Sequence, residues 1–222
     1  MKNIPNSNII LFIFRIGIVT LTLFTIIAGW VMSAIISGNP ISWLIGFKYY
    51  TTQTNILVTI WLILAIIWFY KPESLNKISG RLKGAITLYI TTTFVFFAIL
   101  LQIFYHPTGF AAFSNFILHY FTPIAFIVDW VLTETEIRYK WNYLLSWMMY
   151  PLGYLVFSLV HGLITGDYLY PFLNLIELGI LGYVISVSLI VGAGVGMGCI
   201  YIAINRFRTK KLLSKEQELV VE

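Results

Sequence analysis

IILFIFRIGIVTLTLFTIIAGWVMSAII, residues 9–36, carries a single charged side chain, Arg15, in 28 residues. A helix needs about 20 consecutive apolar residues to cross a hydrocarbon core, so this stretch is long enough to do so once. It exceeds the about 7–15 apolar residues of a cleavable leader, and Arg15 lies inside it. Lys2 and the Met32-Ser33-Ala34 triplet therefore belong to an uncleaved first span. Five more apolar stretches follow, each bounded by charge, proline or glycine. They run from Thr51 to Tyr70, Ala85 to Tyr105, Ala111 to Leu132, Tyr143 to Leu163 and Leu175 to Ile204. The expected fold is all-α: a polytopic integral membrane protein of six transmembrane helices. It forms one domain over residues 1–222, with a basic tail from about residue 205.

Composition agrees with that reading. Of 222 residues, 59% are hydrophobic and 10% charged, whereas soluble domains average about 45–50% and about 25%. A soluble enzyme, a disordered tail and a nucleic-acid-binding domain are excluded, and no nucleic acid is expected as a partner. One cysteine, Cys199, rules out an intramolecular disulfide and a cysteine-built metal site. Zinc, Walker, dinucleotide and Gly-x-Ser-x-Gly patterns are lacking, so neither metal nor cofactor is expected.

The basic residues set an orientation. Lys71, Lys77, Arg81 and Lys83 fall between spans two and three, and Arg138 and Lys140 between four and five. Arg206, Arg208, Lys210, Lys211 and Lys215 follow span six, and Lys2 precedes span one. The opposite loops hold only Lys48, an asymmetry of twelve against one. By the positive-inside rule both termini are cytoplasmic. The basic tail reads as an orientation signal with affinity for anionic lipid headgroups.

Polar side chains inside apolar spans are costly, so their depth is informative. Thr51, Thr52, Gln53, Thr54 and Asn55 open span two at its outer end. Gln102 and His106 close span three there, and Asn115 and His119 lie one helical turn apart in the outer half of span four. His161 ends span five and Glu177 opens span six on the same side. The three histidines thus gather with Glu177, Asn55 and the threonine cluster in the outer half, which suggests a polar pocket open to the outer side or to the outer leaflet. Arg15 and Asp129 lie in the cytoplasmic half, where they are placed to pair and so offset each other's burial. Thr91, Thr92 and Thr93 read as bonding their own backbone or a neighbouring helix, and Gly192, Gly194, Gly196 and Gly198 as a close-packing stripe. His106 and His161 read as interfacial, and Glu177 as solvated beside its helix dipole.

Three stretches together resemble a known family. They are Phe47-Lys48-Tyr49-Tyr50-Thr51, Asn115-Phe-Ile-Leu-His119 with Pro123 and Asp129, and Gly153-Tyr154 through His161 and Thr165-Gly166 to Tyr170-Pro171-Phe172-Leu173. In order and spacing they are similar to the androgen-induced and androgen-dependent TFPI-regulating membrane proteins, and more so to that family's bacterial branch. The resemblance implies six spans and hydrolysis of fatty acid esters of hydroxy fatty acids by a threonine nucleophile and a histidine. It implies Thr51 as nucleophile and His119 as partner, and sets Asp129 where the family has a glutamate. Thr52 and Thr54 stand beside Thr51 as alternatives.

A threonine hydroxyl needs an adjacent base to become nucleophilic, and a neutral histidine meets that need and then protonates the leaving alkoxide. Gln53, Asn55 or Asn115 is available as an oxyanion donor, with Asp129, His161 and Glu177 as supporting groups. The expected partners are membrane lipids and a lipid ester or other amphiphile, and the expected location is a bacterial plasma membrane. Two rival readings are a carrier or receptor using the same pocket only for binding, and an assembly partner docking through the glycine-rich sixth span. The orientation is checked by reporter fusions: a phosphatase active only outside the cell stays silent when fused after Glu222 and works when inserted between spans one and two.

Overall fold

The computed structural model describes residues 6–70, 79–135 and 137–221; Lys2, Lys71, Lys77 and Glu222 lie outside them. No strand occurs among the described residues. Six helices are long and apolar enough to cross a membrane: Asn8–Ser37, Tyr50–Ile67, Ser79–Leu101, Gly109–Thr133, Tyr143–Thr165 and Leu175–Lys210. In hydrocarbon no water meets a bare N–H or C=O, and a helix satisfies both within one segment. We name the elements α1 (Asn6–Ser37), the short α2 (Trp43–Gly46), α3 (Tyr50–Ile67), α4 (Ser79–Phe96), α5 (Gly109–Phe116), α6 (Thr122–Thr133), α7 (Tyr143–Thr165) and α8 (Leu175–Val221). A π-helical turn, Phe97–Leu101, ends α4, and another, Ile117–Phe121, joins α5 to α6 as one span.

By its contacts the chain divides into two compact units, Met1–Thr133 and Glu134–Glu222. In the first, α1, α3, α4 and α6 enclose a core of Ile18, Val58, Trp61, Leu62, Ile86, Ile90, Ala125 and Phe126. Each of the four helices contributes an apolar face to it. The opposite faces expose large apolar side chains such as Ile35 and Ile36, a surface suited to lipid contact rather than to water. Thr22 of α1 and Thr122 of α6 share a hydrogen bond of 2.8 Å, a small polar link between spans.

The charged centre of this unit is Asp129, fully buried on α6. Its Oδ1 accepts from Arg15 Nε at 2.7 Å, as the depth of the two residues led us to expect. Its Oδ2 lies 2.8 Å from Lys83 Nζ, which also donates to the Thr133 hydroxyl. Lys83 was counted above as a cytoplasmic loop residue, and the structure corrects this: α4 begins at Ser79, and Lys83 is only 2% exposed. Hydropathy misses that first turn because Ser79-Gly80-Arg81 is polar. The carboxylate on α6 compensates the ammonium that a membrane helix would otherwise exclude.

The second unit contains α7 and α8. Gly166, at φ +74°, closes α7 with its N–H on the Gly162 carbonyl at 2.8 Å. Gly179, at φ +65° and ψ 172°, interrupts α8 one turn after its start, a backbone state natural only to glycine. Near the other end, Asn205 clamps the segment leading into α7. Its Oδ1 accepts from the Tyr139 N–H at 2.7 Å, and its Nδ2 donates to the Ile137 carbonyl at 3.0 Å. The basic stretch after Asn205 continues α8 as helix.

Two cations on one carboxylate make the ion cluster asymmetric. Asp129→Ala strands both of them and is expected to lower stability by about 3–5 kcal/mol. Arg15→Met leaves the Lys83–Asp129 pair matched and lowers it less. Thermal unfolding of the two variants in detergent micelles checks the order.

Candidate active site

Both π turns lie in the first unit, and they meet. Pro123 lacks the N–H that would bond to the carbonyl four residues back, that of His119. Just before it the helix widens, and the Thr122 N–H reaches back to the Ile117 carbonyl. His119 stands inside this turn and Phe97 opens the other. Their rings stack with centroids 3.8 Å apart and planes at 23°. Single π turns of this kind are frequent at functional sites, because they re-aim one side chain without breaking the helix.

The hydrogen bonds of His119 then assign its two nitrogens. Nδ1 lies 3.1 Å from the Asn115 carbonyl, an acceptor only, so Nδ1 carries the proton of the neutral ring. Nε2 is left with its lone pair, 3.2 Å from Thr51 Oγ1. The Thr51 hydroxyl thus donates to Nε2, a hydroxyl hydrogen-bonded to an imidazole that a third group orients, the geometry a nucleophile and its base would need.

Thr51 is held in place from several sides. It lies in the first turn of α3, entered through extended backbone at Tyr49. Its carbonyl accepts from Thr54 Oγ1 at 3.1 Å and from Asn55 Nδ2 at 2.8 Å. Asn55, fully buried, also donates to the Leu118 carbonyl at 3.0 Å, tying α3 to the turn that holds His119. Gln53 Nε2 donates to the Phe47 carbonyl at 2.7 Å and steadies the approach to α3. Of the three neighbouring threonines, Thr51 meets His119, whereas buried Thr54 bonds Thr93 Oγ1 at 2.8 Å. Thr91 and Thr92 bond backbone carbonyls of their own helix, as expected, and Thr92 also reaches Tyr50.

A cavity of about 340 Å³ opens beside this pair, between α1 and the fourth span. Gly29, Met32 and Ser33 line one side, and Ser114, Asn115 and His119 the other. A Cβ added at Gly29 would meet nothing within 4 Å, so the missing side chain leaves usable width. The cavity wall ends at His119 and does not include Thr51. Among the described residues, no three His, Cys, Asp or Glu side chains converge on a metal position.

The remaining expected site residues lie elsewhere. Asp129 is ten residues along the span from His119, roughly 15 Å at 1.5 Å per residue, and serves the ion cluster. Gln102 accepts from Tyr120 at 2.8 Å, and His106 bonds the Ile103 carbonyl at the exposed end of span three. His161 and Glu177 belong to the second unit. His161 Nδ1 bonds the Asp167 carbonyl at 2.8 Å, and exposed Glu177 receives a backbone cap from Asn174 in the first turn of α8. Phe97 was not anticipated, since nothing distinguishes it among 17 phenylalanines. Pro123, four residues after His119, was the one local sign of the widened turn. Compared with family models, curated proteins and solved structures, the chain finds no match.

Asn55→Ala removes the bridge between α3 and the His119 turn, taking the side-chain donor from the Leu118 carbonyl and one of two from the Thr51 carbonyl. It is expected to destabilise the protein by about 1–3 kcal/mol, read as a lowered unfolding temperature in detergent.

Proposed function

We propose that this chain is an intramembrane hydrolase of long-chain lipid esters, with Thr51 as nucleophile and His119 as its base. The observation that carries this reading is the hydrogen bond of 3.2 Å between Thr51 Oγ1 and His119 Nε2, with Nδ1 engaged by the Asn115 carbonyl. The resemblance to the androgen-induced and androgen-dependent TFPI-regulating proteins supports the same pair. In the reaction, the Thr51 proton passes to Nε2 as Oγ1 bonds the ester carbonyl carbon. His119 then returns that proton to the departing alkoxide, leaving an acyl-threonine. Water repeats the sequence against the acyl group, with His119 again as base, and frees the acid. The Phe97 face restricts the imidazole to one plane, which keeps Nε2 on the hydroxyl. Largely apolar walls and a neighbouring apolar surface suit a substrate drawn from lipid. In this reading the membrane is a bacterial plasma membrane, both termini are cytoplasmic and the cavity opens toward the outer leaflet.

A second reading, a carrier or receptor for a small amphiphile, draws support from the cavity wall that ends at His119 and leaves Thr51 outside it. The two readings are separated by covalent labelling of the purified protein with a fluorophosphonate probe and by turnover of long-chain esters. A hydrolase forms an adduct on Thr51. Thr51→Ala abolishes that adduct, and His119→Ala lowers turnover by about 10²–10⁴-fold. Undiminished turnover in both variants overturns the catalytic assignment, and retained ligand without any adduct favours the carrier.

A further inference from the structure

Acyl transfer needs a donor aimed at the carbonyl oxygen as it gains charge, and three carboxamides stand close to the Thr51–His119 pair. Two are already spent. Gln53 Nε2 donates to the Phe47 carbonyl at 2.7 Å. Asn55 Nδ2 uses both hydrogens, on the Thr51 and Leu118 carbonyls, and its side chain is fully buried. Asn115 differs from both. It lines the cavity beside His119 and its Nδ2 makes no hydrogen bond among the described residues; its Oδ1, like that of Asn55, is buried without a partner. Uncommitted amide hydrogens beside a cavity are open to an acceptor on a ligand. A ligand carbonyl in the cavity is such an acceptor.

We infer that Asn115 is the oxyanion donor of the hydrolase, its Nδ2–H group meeting the carbonyl oxygen of the bound ester. The inference rests on the hydrolase reading and extends it to a further residue that touches substrate. As the Thr51 Oγ–carbon bond forms, the carbonyl π pair moves onto oxygen and the Thr51 proton moves to His119. Asn115 stabilises that oxygen until the pair returns and the alkoxide leaves with the proton. Donor and base lie one helical turn apart on the same face, and the Asn115 backbone carbonyl is the group that His119 Nδ1 bonds at 3.1 Å.

Asn115→Ala and Asn115→Leu test this, the second keeping the volume while dropping both polar ends. Steady-state hydrolysis of a long-chain 4-nitrophenyl ester is compared with wild type, alongside unfolding temperature and fluorophosphonate labelling of Thr51. The expected result is a fall in kcat of about 10²–10³-fold, with KM within a few fold and an unfolding temperature equal to or above wild type. A merely structural asparagine would instead lower the unfolding temperature, and that outcome, or an unchanged kcat, overturns the assignment. If wild type hydrolyses the ester and Thr51→Ala does not, while both Asn115 variants stay active, the oxyanion role alone fails. A wild type that neither turns over ester nor labels at Thr51 removes the hydrolase reading and this assignment together.

Discussion

One carboxylate shared by two cations is the constraint on which the first unit depends. Asp129 receives Arg15 from α1 and Lys83 from α4, and the three side chains are all but removed from solvent. A charge at this depth has no cheaper position than beside its partner, so rotation of any of these helices about its axis separates ions. The cluster therefore fixes the azimuth of the fourth span at one end. At the other, Asn55 bonds the Leu118 carbonyl and fixes the same span against α3. The Leu118 anchor lies inside the π turn, and the rest of that turn and Pro123 lie between the two anchors. The irregular part of the helix is thus the part held from both ends.

That arrangement explains how a histidine comes to serve a threonine inside an apolar bundle. The widened turn delivers His119 onto the Phe97 ring, and the Asn115 carbonyl decides which nitrogen carries the proton. The surrounding polar groups divide the work. Asn55, Gln53 and Thr54 spend their donors on backbone carbonyls, and Thr54 also bonds Thr93, which holds the Thr51 segment in place. Asn115 spends none and faces the cavity. Rigid support around a few unspent groups is the usual signature of a site that binds something, since spare polarity inside a bundle carries a cost.

Particular residues mark what was readable in the chain. The Arg15–Asp129 pair was legible because two isolated opposite charges at one depth have few other partners. Lys83 was not: a hydropathy window assigns a lysine near a polar turn to the loop, and only the carboxylate on another helix shows otherwise. Thr51 and His119 were legible as residue types at a common depth, but Thr51, Thr52 and Thr54 are equivalent by that measure. Gln53, Asn55 and Asn115 looked interchangeable as donors, and their hydrogen bonds separate them. His161 and Glu177 share that depth in the sequence, yet they belong to the second unit, each with local partners of its own.

The sequence by itself determined six apolar helices and, Lys83 apart, the position of the discussed polar residues along them, because hydropathy over about 20 residues marks where an apolar span begins and ends. It carries no comparable record of azimuth for a helix that is apolar on every side. Which face of each span meets which neighbour was decided only in the tertiary structure, where buried charges had to find counter-charges and buried amides had to find carbonyls. Those demands turned Lys83 inward, gave Thr51 rather than Thr54 to His119, and left the Asn115 amide hydrogens uncommitted among the described residues.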